Sequence, residues 1–322
     1  MTAPEELPAT PDDEMTALEE AAVSAVAGQL AAQIGRVIAG ALTAYEAVKR
    51  ATQGAPPADG SSLRSVLLSG LAGVRPAGLS SKLRGYELKA TALGARRATQ
   101  SLPRSDRPDG SVELPEPVRV PLEALVRERL AEAAKLARSL PMTRKRDVLA
   151  VIGRAGSARA LAEAKTRERI YSGASQGVMA VAVETGRNLL WVPERDACLH
   201  CLAHAGWVVE PGQEFPRVTF GDKPLAWAVE FPPLHPNCRC ELHLTRLKAG
   251  PPSRNRSAPD PASRLAAEAR RSVILGWTDN ASQAATMRAM DRLLKQGAGL
   301  PASVEARARR ALRTGTLPRR PK

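Results

Sequence analysis

Apolar residues recur at spacings of three and four over a long proline-free stretch near the start of the chain, residues 15–54. The stripe consists of Val23, Val26, Leu30, Ile34, Val37, Ala41, Tyr45 and Val48. This spacing predicts one face of an α-helix of about eleven turns. A stripe of this length has to be buried, either against the rest of the chain or against a partner.

Helical spacing resumes after residues 55–62, a short linker rich in proline, glycine and serine. The predicted helices are 63–72, 79–99 and 122–140, with a proline-containing loop at 103–120 and Pro121 in the first turn of the third helix. Together they form a helical body over residues 63–155. A further helix is predicted at 157–188, broken near Gly173 and Gly177.

The pattern becomes strand-like at Leu189, where short apolar runs are bounded by turn residues. Strands are predicted at 189–192, 206–209 and 238–244. In the last run Cys238, Cys240, Leu242 and Leu244 alternate with Arg239, Glu241 and His243, which predicts one apolar and one polar face. The fold class is therefore mainly α, with long helices and a small β-containing (α+β) Cys/His module near residues 189–245.

The two ends of the chain carry opposite charge. Residues 1–14 indicate a disordered acidic leader, and residues 1–35 contain seven acidic residues and no lysine or arginine. Residues 246–322 contain seventeen basic and five acidic residues, and this net charge of +12 supplies most of the formal +14 of the chain. The ends are either two interaction arms, the basic one suited to duplex DNA, or solvated flexible termini.

Residues 251–322 form a basic helical tail in this interpretation. A linker at 251–261 precedes predicted helices at 263–275, 281–296 and 302–313. The aromatic residues lie elsewhere: seven of the ten in the chain fall between Trp191 and Trp277, which predicts a dense core in that stretch.

Neither a signal peptide nor a membrane partner is expected. The N-terminus is acidic where a signal peptide has a basic region. The most membrane-like window, residues 21–45, is interrupted by Gln29, Gln33 and Arg36, polar groups that are costly in hydrocarbon. We therefore expect a soluble helix and a protein made in a reducing cytoplasm.

All four cysteines and all four histidines lie between Cys198 and His243. Cys198 and Cys201 form a CxxC pair, and after thirty-six intervening residues Cys238 and Cys240 form a CxC pair, with His235 three residues before Cys238. Two such pairs can close a tetrahedral zinc site, with His235 as a ligand or beside the ligands. A closed site of this kind is structural and leaves no open position for catalysis.

Two alternatives to zinc stay open for the cluster. The cysteines can pair as disulfides, which a reducing compartment disfavours, or they can pack as plain reduced core residues. The other histidines, His200, His204 and His243, are expected at the surface or beside the ligands, because His243 falls on the polar face of its predicted strand.

The residues of this cluster carry a family likeness. Their order is Trp191, Asp196, Cys198, Cys201, Gly206, Phe215 and a closing Pro232-Pro233-Leu234-His235-Pro236-Asn237-Cys238-Arg239-Cys240. This run resembles the signature of the Mu F-like phage head-morphogenesis proteins. The likeness covers roughly residues 156–245, and we assign the module to residues 156–250. The resemblance implies a minor head protein of low copy number inside the procapsid, associated with the portal vertex and sometimes with DNA.

Several further expectations follow from the resemblance and the pattern together. The portal protein is the expected partner, contacted through the long apolar stripe, with scaffold or major capsid protein and duplex DNA as further partners. The protein is expected in the host cytoplasm during assembly and then in the head of the virion.

The prolines of the closing run would hold His235 and Cys238 in place, and Gly206 would permit the turn after the first cysteine pair.

Other classes of protein fit the sequence less well. The chain has no HExxH, P-loop or dinucleotide-binding motif, and no histidine lies outside the cluster to serve a Ser-His-Asp triad. We therefore expect no enzyme, with a capsid maturation protease as the enzymatic alternative. A zinc-ribbon nucleic-acid-binding protein is the other alternative, but the segment between the cysteine pairs is more acidic than basic.

Overall fold

The computed structural model describes residues 13–55, 59–194, 197–220, 223–226, 228–235, 238–252, 260–278, 282–295 and 302–317. Its helices are α1 Asp13–Ala51, α2 Ser61–Ala72, α3 Leu79–Ser101, α4 Leu122–Ser139, α5 Lys145–Thr185, α6 Leu199–His204, α7 Pro261–Ile274, α8 Gln283–Lys295 and α9 Ala302–Thr314. Its strands are β1 Asn188–Val192, β2 Val208–Val209, β3 Val218–Phe220, β4 Lys223–Ala226 and β5 Glu241–Thr245. The protein is mainly α with a small β part, as the sequence predicts.

Some predicted segments fall wholly or partly outside the described residues. Residues 1–12 of the expected acidic leader are outside them, and its last two residues already belong to α1. The same holds for residues 56–58 of the first linker and residues 253–259 of the linker before α7.

The chain divides into two compact units, which are described separately. The helical unit comprises Asp12–Leu88 and Pro117–Ile170, and the cysteine unit comprises Lys89–Glu116 and Tyr171–Lys322. The division falls within α3 and α5, so each of these helices contributes to the core of both units.

The apolar stripe of α1 is buried within the helical unit. Val26, Leu30, Ile34 and Ala41 are buried, and Val37, Tyr45 and Val48 are partly buried against the same core. That core is made of leucine, valine and alanine side chains from α2, α3, α4 and α5. Of the two ways to bury the stripe, the structure therefore shows the first, against the protein's own chain.

By length and composition α1 would also suffice to cross a membrane, and it is the single helix of this kind among the described residues. Core helices of soluble proteins pass the same test.

A buried ion pair lies inside the helical unit. The carboxylate of Glu87 on α3 accepts a hydrogen bond from the guanidinium of Arg169 on α5, and the Glu87 side chain is only 2% exposed. Burial raises the pKa of Glu87 above its ordinary value, an effect that the Arg169 hydrogen bond opposes. A second pair, Glu19 with Arg167 at 3.0 Å, connects α1 to α5.

The break predicted near Gly173 and Gly177 is wrong, because α5 is one continuous helix from Lys145 to Thr185. A Cβ atom added at Gly177 would stand 2.0 Å from the carbonyl oxygen of Thr91 on α3. A Cβ atom at Gly94 on α3 would stand 2.1 Å from the carbonyl oxygen of Ala174. Within the cysteine unit these glycines let two helix backbones touch, so they serve close packing.

The cysteine unit has a three-stranded antiparallel sheet of order β2-β1-β5. A separate two-stranded pair is formed by β3 and β4. Helices α7, α8 and α9 contribute Val273, Ile274, Met290 and Leu293, among others, to the same core as Trp191 and the four cysteines. The described part of the basic tail is therefore folded against the Cys/His module and is not a separate arm.

Candidate metal centre

The antiparallel pairing of β1 with β5 brings the two cysteine pairs to one edge of the sheet. Val192, the last residue of β1, lies opposite Glu241, the first residue of β5. The CxxC pair follows β1 along the chain and the CxC pair directly precedes β5. Because the two strands run in opposite directions, the segment that leaves β1 and the segment that enters β5 meet.

The five predicted ligand residues are gathered around the sulfur of Cys201. This Sγ lies 3.5 Å from Sγ of Cys198 and 3.4 Å from Sγ of Cys238. Nε2 of His235 lies 3.9 Å from it. The ligand atoms of Cys198, Cys201 and His235 lie within 4.8 Å of one another, as do those of Cys201, Cys238 and Cys240.

These separations suit a tetrahedral metal ion. Zinc binds sulfur at about 2.3 Å, which places two sulfurs of a tetrahedral site about 3.8 Å apart. The cysteines are free thiols and all four are buried. The cluster could therefore hold a metal ion. His235, which is partly exposed, is close enough to complete the ligand set or to support it.

The cluster favours deprotonated sulfur at two positions. Hydrogen bonding with the Cys201 thiol, together with the His235 ring, lowers the pKa of Cys198 to about 4. Hydrogen bonds with Cys201 and Cys240 lower the pKa of Cys238 to about 3. The pKa of Cys201 is raised well above its usual range, because the surrounding cysteine sulfurs and burial disfavour its thiolate. Buried thiolates of this kind are the groups that soft divalent metals bind, and a bound cation would neutralise them.

The predicted strand at 238–244 begins three residues later than expected, at Glu241. Cys238 and Cys240 lie in the irregular segment before it, yet they are buried while Arg239 between them is exposed. The predicted alternation is therefore correct for burial and wrong for secondary structure. The turn into this segment is closed by the backbone N–H of Cys238, which donates to the carbonyl of His235 at 2.9 Å.

His204 is not at the surface, in contrast to one of the positions expected for it. Its side chain is fully buried at the end of α6, where Nδ1 lies 3.2 Å from the carbonyl oxygen of His200 and Nε2 lies 3.1 Å from that of Pro216. The ring therefore ties α6 to the segment before β3. His204 lies three residues after Cys201 on a short helix, so the two side chains share the buried face of that helix. This spacing is the signal in the sequence that was missed.

His200 and His243 fit the expectation better. His200 is exposed, and His243 is half-buried with Nε2 3.4 Å from the carboxylate of Glu241.

Aromatic side chains pack into one core with the cluster, in the stretch where the sequence predicts a dense core, and we call them the aromatic floor. Trp191 and Phe215 are completely buried with ring centroids 5.0 Å apart in an edge-to-face arrangement, and the His204 ring lies 4.9 Å from Trp191. Trp207 and Phe231 pack partly buried against the same core. Of the other motif residues, Asp196, Pro236 and Asn237 lie outside the described part of the chain.

Gly206 has the conformation and the surroundings that exclude a side chain. Its φ is +76°, and a Cβ atom there would stand 2.1 Å from the carbonyl oxygen of Ala262 in the first turn of α7. The predicted turn after the first cysteine pair is therefore confirmed, and the first turn of α7 packs directly against it.

Comparison of the chain with protein-family models, with curated proteins and with solved structures finds no match in any of the three.

Proposed function

We propose that this protein is a minor head protein of a tailed bacteriophage, similar to the Mu F-like head-morphogenesis proteins, and that its cysteine cluster binds one structural zinc ion. The observation that carries the proposal is the convergence of the two ends of the motif. The segment after Trp191 and the segment ending at Cys240 meet at one sheet edge and place their ligand atoms within 4.8 Å of one another. This convergence gives the unusual motif a physical purpose.

Zinc suits the donor set better than other common metals. Thiolate with imidazole selects zinc, and oxygen donors would be needed for magnesium or calcium. A site closed by four of Cys198, Cys201, His235, Cys238 and Cys240 has no position for substrate. Its contribution is to folding, by fastening the two halves of the module.

The metal is tested by elemental analysis of the full chain purified without chelator. We expect about one zinc per chain, and less than a tenth of that in a Cys201→Ser variant. His200→Ser is the matched control, because His200 is exposed on the same short helix. Native protein without metal, whose four thiols react freely with a thiol reagent, would show that the cysteines are plain core residues.

The assembly role is tested by head formation. The protein is expected to be made in the host cytoplasm and incorporated into heads in few copies at the portal, with scaffold or major capsid protein as further contacts. The buried stripe of α1 removes the reason to assign portal docking to that stripe, so the exposed faces of the helical unit are the better candidates. Ala32→Glu in α1 and Ala131→Glu in α4 place a charge on two such faces, because both residues are exposed.

Co-purification of each variant with the portal protein and its presence in heads are the measurements. We expect one of the two variants to be lost from heads, while its zinc content and its thermal unfolding stay the same as in the unchanged protein. If the unchanged protein is absent from purified heads, the assembly role is wrong. If it is present but neither charged variant lowers its incorporation, neither of these faces is the docking surface.

A further inference from the structure

The last described helix, α9, has two faces of opposite character. Val304, Ala308 and Ala311 are buried in the core of the cysteine unit. Residues at the opposite positions are exposed, namely Ala302, Ala306, Arg309, Arg310 and Arg313. These positions recur at helical spacing and therefore form one continuous face, which we call the arginine face.

The cations of the arginine face are available for a partner. Neither Arg310 nor Arg313 has an ion-pair partner in the part of the chain that the structure describes, and both are exposed. Arg309 is 4.0 Å from Glu305, which is the single acidic residue of the helix. By contrast, the cationic residue Lys295 on α8 is already paired, with Asp291 at 2.7 Å.

The helix is held in a fixed position within its unit. Gln283, at the start of α8, donates a hydrogen bond to the carbonyl oxygen of Gly315, directly after α9, so the two helices are antiparallel. Leu317 packs back against Gly276, which follows α7. The arginine face is therefore presented by a folded three-helix arrangement that shares its core with the cysteine cluster.

We infer that the arginine face of α9 enters a groove of duplex DNA, an assignment that rests on the proposed function for its choice of duplex DNA as partner. An α-helix about 10–12 Å across fits the major groove, which is about 12 Å wide. Ala302 and Ala306 are small enough to let the backbone of α9 approach the bases, and the flanking arginines reach phosphates and base edges.

Other polyanions fit this face less well. The chain has no aromatic residue after Trp277, so this region lacks the aromatic side chains on which the bases of a single strand usually stack. A basic helix that lies on an anionic membrane inserts its apolar face, and here that face is already in the protein core. Duplex DNA needs only the exposed cations and the small residues between them.

The test measures binding of the full chain to a short fluorescent duplex of mixed sequence, by anisotropy over a series of salt concentrations. The variant Arg310→Gln/Arg313→Gln removes two cations from the arginine face. The control Arg127→Gln/Arg138→Gln removes two exposed cations from α4 in the helical unit, so both variants lose the same net charge.

We expect the α9 variant to bind about tenfold or more weakly and its logarithmic salt slope to fall by about 2, while the control stays close to the unchanged protein. Ala306→Glu should weaken binding similarly, and Ala131→Glu in α4 should not. Equal loss in the two double variants, or loss in neither, overturns the inference. So does displacement of the duplex by vesicles containing phosphatidylserine with the same dependence on Arg310 and Arg313.

The outcome is separable from that of the assembly role. Duplex binding that depends on α9, in a protein that never appears in heads, would sink the proposed function and leave the α9 site standing. Incorporation into heads by an α9 variant that has lost duplex binding would support the assembly role independently of DNA.

Discussion

The helical unit and the cysteine unit are built on different physical principles. The helical unit buries a continuous core of leucine, valine and alanine from five helices, and its stripe residues on α1 are typical of it. The cysteine unit has short strands of two to five residues and buries Trp191, Phe215 and four thiols. The cysteine unit also buries apolar side chains of α7, α8 and α9, but its short strands supply little apolar area of their own.

The two units also differ in how their charged groups are paired. Buried charge in the helical unit is paired internally, as in Glu87 with Arg169. In the cysteine unit the buried cysteine sulfurs gather around Cys201 with the partly exposed His235 beside them, and the arginines of α9 are exposed. The first unit is therefore self-sufficient, and the second has features that a metal ion and a polyanion would complete.

We expect metal removal to have the largest effect, because it should unfold the cysteine unit and leave the helical unit folded. Binding of structural zinc contributes about 10–16 kcal/mol to the folding free energy of small zinc modules. This is more than the total unfolding free energy of many domains. We expect a chelator to abolish the near-ultraviolet circular dichroism of Trp191 while the helical unit keeps its own cooperative unfolding transition. An unchanged tryptophan signal in protein shown to be metal-free would mean that the aromatic floor alone holds the unit.

Removing one partner of the buried ion pair should affect the helical unit instead. Glu87→Ala leaves the Arg169 guanidinium in a buried site without its carboxylate, at a cost of about 3–5 kcal/mol in unfolding free energy. Glu87→Leu/Arg169→Met should restore most of it, because no charge is left buried. Urea unfolding measures both variants, and zinc content should stay the same in each.

The exposed pair Arg159 with Glu163 is the matched control on α5. Glu163→Ala should cost less than about 1 kcal/mol, because solvent screens the pair. A similar cost for Glu87→Ala and Glu163→Ala would show that burial does not strengthen the inner pair.

The sequence predicts the helical unit better than the cysteine unit, for a physical reason. Helical spacing repeats over many residues, so helices such as α1 and α4 can be located from Leu30 or Val126 and their neighbours. Which surface covers the α1 stripe depends on residues far away in the chain, so the sequence left that question open. Cys238 and Cys240 are buried in alternation with an exposed residue, as in a strand, but they are not paired with another strand. The sequence therefore predicted a strand that starts earlier than β5.

The glycines of α5 show a second limit of sequence reasoning. Glycine lowers helix propensity, and Gly173 and Gly177 therefore indicated a break. Only the packing of α3 against α5 shows why a glycine stands at position 177. The backbone of Thr91 leaves no room for a side chain there. The residues of the candidate metal group could all be named from the sequence, because cysteine spacing follows from metal geometry, and the structure brings Cys198, Cys201, His235, Cys238 and Cys240 together. The contact of His204 with the carbonyl oxygen of Pro216 could not be predicted, since Pro216 lies in an irregular segment.

Two glycines of one helix provide a test of intermediate size. Gly177→Ala places a methyl group into the Thr91 backbone and should destabilise the cysteine unit by about 1–3 kcal/mol or more. Gly153→Ala, in the helical unit, meets no atom within 4 Å and should stabilise the helix by about 0.5–1 kcal/mol. Thermal unfolding measures both. The same sign for both substitutions would show that α3 and α5 do not approach closely at Gly177.

The smallest expected effect is a difference in how the two units respond to pH. Because burial raises the pKa of Glu87 above 4.5, its contribution to stability is fully present below pH 4.5 and is lost as pH rises through the folded-state pKa. Metal binding releases protons from thiols, so the cysteine unit gains stability over the same rise in pH. Denaturant unfolding at a series of pH values should therefore show opposite slopes for the two transitions. Glu87→Gln should flatten the slope of the helical unit alone, since it removes the titrating group and keeps an acceptor for Arg169. An unchanged slope in that variant would assign the pH dependence to other carboxylates.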